Sequence, residues 1–125
     1  MQVIKVLIVD SEPEFTSILT DRLRSWGFAA TAVNSSDEVL EALSTFGPEV
    51  VVLGLHGKDS KALDPLHIIK ACNPAIEVIL LAAKGTGIIG MQGIARGAFD
   101  CLDQPLELGV LIEKIREAAG VRSQR

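Results

Sequence analysis

The apolar residues of this chain switch period repeatedly. Continuous apolar runs of strand length, such as Val50 to Leu53, alternate with segments in which apolar residues recur every three or four positions. A strand that is apolar throughout has both faces covered, and a helix with one apolar stripe needs a surface to cover it. The alternation therefore specifies βαβ units around a parallel sheet. Five units follow one another, with strands expected at Val3–Val9, Phe28–Val33, Val50–Leu55, Ile76–Ala82 and Phe99–Leu102. Helices are expected at Pro13–Trp26, Ser36–Thr45, Pro65–Cys72, Thr86–Arg96 and Glu107–Ala119.

Local signals place the boundaries independently of the period. Ser35 with Glu38 three residues on reads as a capping box, and Asp64 before Pro65 reads as a cap followed by a preset φ. Gly27, Gly47 and Gly97 follow expected helix ends, where a left-handed residue satisfies the last carbonyls. Crossovers between parallel strands are right-handed, which leaves few topologies. A doubly wound five-stranded sheet of order 2-1-3-4-5, with helices on both faces, is expected. That order brings the ends of the first and third strands, Asp10 with Ser11 and Gly54 with Leu55, to one crevice at the topological switch point.

The chain has 125 residues, 48% hydrophobic and 22% charged, which suits one domain over 1–120 followed by a tail or the start of a linker at 121–125. A net charge of −4 provides no basic footprint for nucleic acid. Cys72 and Cys101 have no metal-binding or CxxC spacing and read as small core residues in a reducing compartment. The apolar start "MQVIKVLIVD" is interrupted by Lys5 and too short to span a membrane, so a cytoplasmic protein is expected.

Four stretches in this order, "VLIVDSEPEF", "GPEVVVLGL", "NPAIEVILLAAKG" and "RGAFDCLDQPL", carry a resemblance over residues 3 to 119. The chain resembles a response-regulator receiver domain of two-component signalling, a flavodoxin-like fold. The resemblance implies two neighbouring acids after the first strand that hold Mg²⁺, and a phosphoacceptor aspartate ending the third strand. It further implies a Thr or Ser ending the fourth strand, and a Lys before a proline after the fifth, with a cis bond at Gln104–Pro105. Phosphoryl transfer is largely positioning and charge stabilisation, and each of these groups has an electrostatic task in it.

This chain departs from the pattern at most of those positions. Asp10 matches the first acid, but Ser11 stands where the second is usual, with Glu12 after it. Gly54 occupies the phosphoacceptor position, Ala82 replaces the switch hydroxyl, Gln104 replaces the lysine, and Cys101 stands where an aromatic is common. Asp10 and Pro105 alone keep the pattern. Losing nucleophile and cation together leaves no stranded charge, whereas losing one would cost several kcal/mol. The expectation is a pseudo-receiver with no catalytic residues, no metal ligand set and no tight Mg²⁺ binding. Ser11 and Gln104 would line its crevice, and Asp10 would accept backbone N–H bonds at the start of the first helix.

Other signals have plainer readings beside functional ones. Gly85, Gly87 and Gly90 match G-x-G-x-x-G after a strand, but the helix that follows is short and Asp103 comes too early to serve as the ribose acid. Gly87, Gly90 and Gly93 lie in the expected fourth helix, which should be short, frayed or mobile. Together with Cys101 they mark the surface of fourth helix, fifth strand and fifth helix through which the resembled family meets partners, here expected to be malleable without phosphate. His56 could join Asp10 in a metal site, yet two ligands are no closed set, and a solvated loop histidine is expected. His67 should be half exposed, Asp59 should cap local backbone, and Trp26 should pack under the end of the first helix.

The resulting expectation is a signalling module that works through protein contacts, with a histidine kinase or an output domain as partner and a homodimer open through the fourth helix, fifth strand and fifth helix. The rival is a small-ligand or nucleotide-binding domain using the crevice at Gly54 and the glycine loop after the fourth strand.

Overall fold

The computed structural model describes residues 3–57 and 59–120; the expected tail at 121–125 lies outside the described residues. Five parallel strands, β1 (Lys5–Val9), β2 (Ala29–Val33), β3 (Val50–Leu55), β4 (Glu77–Ala82) and β5 (Asp100–Asp103), form one sheet in the order 2-1-3-4-5. Between and after them run α1 (Pro13–Ser25), α2 (Val39–Phe46), α3 (Asp64–Cys72), α4 (Gly87–Ala95) and α5 (Leu108–Ala118). The expected fold class is the observed one.

Successive side chains on a strand point to opposite faces, and this divides the core in two. Leu7, Val9, Val51, Leu53, Val78 and Leu80 meet Val39, Leu66, Ile69 and Ile89 of α2, α3 and α4 on one face. Val6, Ile8, Val50, Val52, Ile79 and Leu81 meet Leu19 and Leu23 of α1 and Leu111 and Ile115 of α5 on the other. Both faces are covered, which is why β3 reads as an unbroken apolar run.

Helix starts are where the sequence signals fall short. Ser35 caps a turn of 3-10 helix, Ser36–Glu38, by accepting from Asp37 N at 3.1 Å, and the Glu38 carboxylate accepts from Asn34 N instead of closing a box on Ser35. Asp64 is the first residue of α3, not its cap, because another 3-10 turn, Ser60–Leu63, precedes it. Asp59 caps that turn, accepting from Lys61 N at 3.0 Å, as a loop acid should. In both places a short tight turn takes up the connection before the α-helix begins. Gly27, Gly47 and Gly97 do take positive φ, at 95°, 65° and 110°.

Three burial expectations are corrected. Trp26 is 55% exposed, because α1 ends at Ser25 and the chain turns into β2 through Gly27 without covering the indole. Cys72 is exposed at the last turn of α3, whose buried stripe is Pro65, Leu66 and Ile69. His67 is fully on the exposed side of that helix.

The fourth helix spans nine residues, shorter at both ends than the expected Thr86–Arg96. Gly90 and Gly93 are buried against the sheet: a Cβ on Gly90 would lie 2.6 Å from Cys101 Sγ, and one on Gly93 would overlap the Leu80 side chain. Their helix-propensity cost is offset by the close approach of α4 to β4 and β5. Gly87 has open space around its Cβ position. Gly93→Ala is thus expected to lower stability by about 1–3 kcal/mol through overpacking. Gly87→Ala should raise it by about 0.4–1 kcal/mol by restricting the unfolded chain. Urea unfolding of the two variants checks the opposite signs.

Candidate functional site

Strands β1 and β3 pair in register, Val9 opposite Leu53, so that Asp10 and Gly54 leave the sheet side by side. A cleft of about 470 Å³ opens there, floored by Asp10, Ser11 and Gly54 and walled by Asn34, Ser35, His56, Lys61 and Asp64 among others. The switch-point crevice is where the strand order placed it.

Asp10 is the buried acid of this cleft, its side chain 1% exposed. Its Oδ1 accepts from Glu12 N at 2.9 Å, a backbone bond at the start of α1. Both carboxylate oxygens lie 2.9 Å from His56 Nε2. A carboxylate accepts, so the contact requires the proton on Nε2. Behind the carboxylate, Asn34 Nδ2 donates to the Asp10 carbonyl at 2.8 Å and to Thr16 Oγ1 at 3.0 Å, tying the ends of β1 and β2 to α1. His56 is an exposed loop residue, as expected, and its ring in addition contacts the buried acid. It lies two positions beyond Gly54, and residues i and i+2 of a strand point to one side, which is the signal that could have found it.

Gly54 explains how the pair fits. A Cβ at residue 54 would overlap Asp10 Oδ2, stand 2.8 Å from Asp10 Cγ and 3.3 Å from His56 Nε2. The absent side chain is the space the carboxylate fills. A hard divalent cation such as Mg²⁺ requires near-octahedral oxygen ligands, and this site does not fit it: the one buried carboxylate is already engaged at both oxygens, Ser11 is exposed, and residue 54 has no side chain. Among the described residues no group of three or more His, Cys, Asp or Glu is gathered around a point that could hold a metal.

The remaining positions lie apart. Glu12 is exposed and contributes its backbone N–H alone. Ala82 ends β4, buried and paired with Leu55. Gln104 does not line the cleft, contrary to expectation: its N–H is bonded to the Ala82 carbonyl at 3.0 Å, which holds it at the end of β4 and β5. The Gln104–Pro105 peptide is cis, and Pro105 lines a separate small hollow with Leu106 and Val110. The hydroxyl of Thr86, four residues after Ala82, is buried and donates to the Ala83 carbonyl at 2.6 Å. Two of the three glycines of the dinucleotide-like motif have structural roles, Gly85 in a left-handed turn and Gly90 against Cys101, while Gly87 has open space.

The surface of α4, β5 and α5 also differs from expectation. Gly90 and Gly93 face inward, and the exposed large apolar residues of α4 are Ile88, at 74%, Met91, at 72%, and Ile94, with Val110 exposed on α5 and Phe99 just before β5. Cys101 is half-buried beneath Gly90, and burial pushes its thiol above the ordinary value, with Asp103 and Asp100 adding to the effect. It has no thiolate character to exploit.

Lys114 of α5 bonds Asp100 of β5 at 2.9 Å, which holds the Asp100 carboxyl below its ordinary value and the Lys114 ammonium above its own. A depressed carboxyl stabilises the fold above the unfolded value of 3.8 and loses that contribution as pH falls through the folded value. Both side chains are about 30% exposed, so solvent screens the pair. Lys114→Met is expected to cost about 0.5 kcal/mol at neutral pH and nothing once Asp100 is protonated in acid. Urea unfolding at the two pH values reads the difference.

No helix among the described residues is long and apolar enough to cross a membrane. The family model described as the response regulator receiver domain matches residues 6–116. The chain is 30% identical over 115 residues to the probable transcriptional regulatory protein TcrX of Mycobacterium tuberculosis, covering 92% of this chain and 49% of TcrX. It is 27% identical over 124 residues to the nitrogen assimilation regulatory protein NtrX of Azorhizobium caulinodans, covering 95% of this chain and 27% of NtrX. The chain thus spans half or less of these relatives. Among solved structures, a response regulator receiver domain protein from Clostridium thermocellum superposes with a TM-score of 0.86 at 24% identity, over 94% of this chain and 95% of that one. FixJ-N superposes with a TM-score of 0.79 at 26% identity over the whole of both chains. The family match runs from within β1 to within α5 and takes in the crevice, its flanking loops and the 2-1-3-4-5 sheet, and the chain belongs to the response regulator receiver domain family of two-component signalling.

Proposed function

We propose that this chain is a pseudo-receiver: a signalling module that works through protein contacts, performs no catalysis, and forms no aspartyl phosphate at the end of β3. The observation that carries the reading is the Asp10 carboxylate lying where a side chain on residue 54 would have to be. A family member can lose its acceptor by one substitution and keep the space for it. Here the space is filled, and the fourth-strand hydroxyl and fifth-strand cation are replaced by Ala82 and Gln104. Tight Mg²⁺ binding is not expected, since Asp10 is the one acid retained among the family's acidic positions, with Ser11 and Gly54 at the others.

Signal output on this reading passes through the face of α4, β5 and α5, where Ile88, Met91 and Val110 are exposed. A histidine kinase, an output domain or a second copy of the chain would be the partner there. Direct contact with nucleic acid is disfavoured by the net charge of −4.

Titrating the chain with Mg²⁺ and fluoroberyllate, and separately with acetyl phosphate, while following amide NMR shifts, tests the reading. No shift change at Val9–Ser11 or Gly54 is the expected result. Saturable shifts at those residues would sink it and restore either phosphoryl chemistry or ligand binding in the cleft.

A further inference from the structure

The crevice of this receiver is not merely vacated, and its contents are specific. We propose that His56 is the resident stand-in for the cation of the site: its Nε2–H occupies both oxygens of Asp10, so the crevice is plugged from within. This rests on the pseudo-receiver reading and adds to it the residue that closes the site.

Three observations converge on that role. First, the imidazole nitrogen is equidistant from the two carboxylate oxygens, at 2.9 Å from each, so a cation that takes both oxygens from that side must displace the ring. Second, the Asp10 side chain is 1% exposed while the His56 side chain is 38% exposed, which makes the ring the roof between the carboxylate and solvent. A buried carboxylate needs such a partner, because an unpaired charge in a low-dielectric site is costly. Third, the pair depends on Gly54, whose Cβ position is 2.8 Å from Asp10 Cγ and 3.3 Å from His56 Nε2. The glycine at the acceptor position and the histidine two residues on are parts of one arrangement. The end of β3 that would have carried the phosphoacceptor now carries the hole, and the loop that follows it carries the plug.

The consequence is that metal exclusion is active. Removing the imidazole should expose Asp10, with the Ser11 hydroxyl and the Glu12 carboxylate next in the chain, to a divalent ion. Mn²⁺ is a convenient probe because its paramagnetism broadens nearby amide signals. In the intact chain, Val9–Ser11 and Gly54 should stay sharp at Mn²⁺ concentrations that broaden them in His56→Ala and His56→Asn, with affinity at least about tenfold higher in the variants. The proposal is overturned when the intact chain broadens at those residues as readily as the variants, or when a folded variant shows no gain.

Should the variants fail to fold, ring-nitrogen NMR of the intact chain decides instead. His56 is expected as the Nε2–H form at neutral pH, with His67, exposed on α3, as the solvated reference in the same spectrum. A solvent-like tautomer mixture at His56 overturns the plug. A fault in the plug shows with the metal alone or in the ring-nitrogen spectrum, whereas the pseudo-receiver reading falls on shifts that require fluoroberyllate or acetyl phosphate, so the two fail separately.

Discussion

Gly54→Asp is expected to yield a less stable protein that still takes up no phosphate. A side chain beginning at residue 54 would start inside the Asp10 carboxylate, so either Asp10 must leave its bonds to His56 and Glu12 N or the ends of β1 and β3 must part. Neither strand has slack, since Val9 and Leu53 are nearly fully buried and paired. Overpacking alone costs about 1–3 kcal/mol. A second carboxylate beside Asp10 adds like-charge repulsion, bringing the expected loss to about 3–4 kcal/mol at neutral pH. Gly54→Ala separates the two causes, because it introduces the overlap without the charge. Urea unfolding gives the stabilities, and intact mass after acetyl phosphate with Mg²⁺ gives the phosphorylation. A Gly54→Asp protein as stable as the parent would show that Asp10 moves aside at no cost, and the filled-space account would then be wrong. Phosphorylation should stay absent even in a folded variant, since Ser11 and Gln104 still stand where an acid and a lysine would be needed.

The sheet order and both core faces could be read from the chain because they follow from period alone. A run such as Val50 to Leu53 has no polar face to expose, and right-handed crossovers then leave little choice. The crevice followed from the same logic, so Asp10, Ser11 and Gly54 were found together. What period cannot show is how a helix begins when a 3-10 turn precedes it, as at Ser36–Glu38 and Ser60–Leu63, since the two helix types share their apolar spacing over one turn. Nor does propensity show why a glycine is there. Gly90 and Gly93 look like weak points in a helix until the sheet beneath them is in place, when they turn out to be the positions of closest approach to Cys101 and Leu80. The substitution of a small thiol at 101 and of hydrogen at 90 are complementary in volume, a relation between residues of different elements that no local pattern contains. The contact of His56 is hidden for a related reason. Taken alone a histidine after a strand is usually solvated, and its importance arises from the one buried acid forty-six positions away.

His56→Ala is the second large effect expected, and a double-mutant cycle with Asp10→Asn gives it a mechanism. Removing the imidazole leaves a buried carboxylate with the Glu12 backbone N–H as its remaining donor. Breaking a fully buried pair by removing one partner costs about 3–5 kcal/mol, and the part-exposed ring allows water to replace some of that, so a loss of about 2–3 kcal/mol is expected. Asp10→Asn keeps the shape and one carbonyl oxygen but removes the charge that needs compensation. In that background His56→Ala should cost only about 1 kcal/mol, the value of an ordinary hydrogen bond. The difference, about 1–2 kcal/mol, is the coupling that assigns the effect to the pair and not to lost packing of the ring. Equal costs of His56→Ala in the two backgrounds would place the contribution in packing alone. Because Gly54, Asp10 and His56 share one small volume, Gly54→Ala should also lose most of its penalty once Asp10 is shortened to Ala, since the atom it overlaps is gone. That relief distinguishes a steric clash at the carboxylate from strain in the β3 backbone, which shortening residue 10 would leave in place.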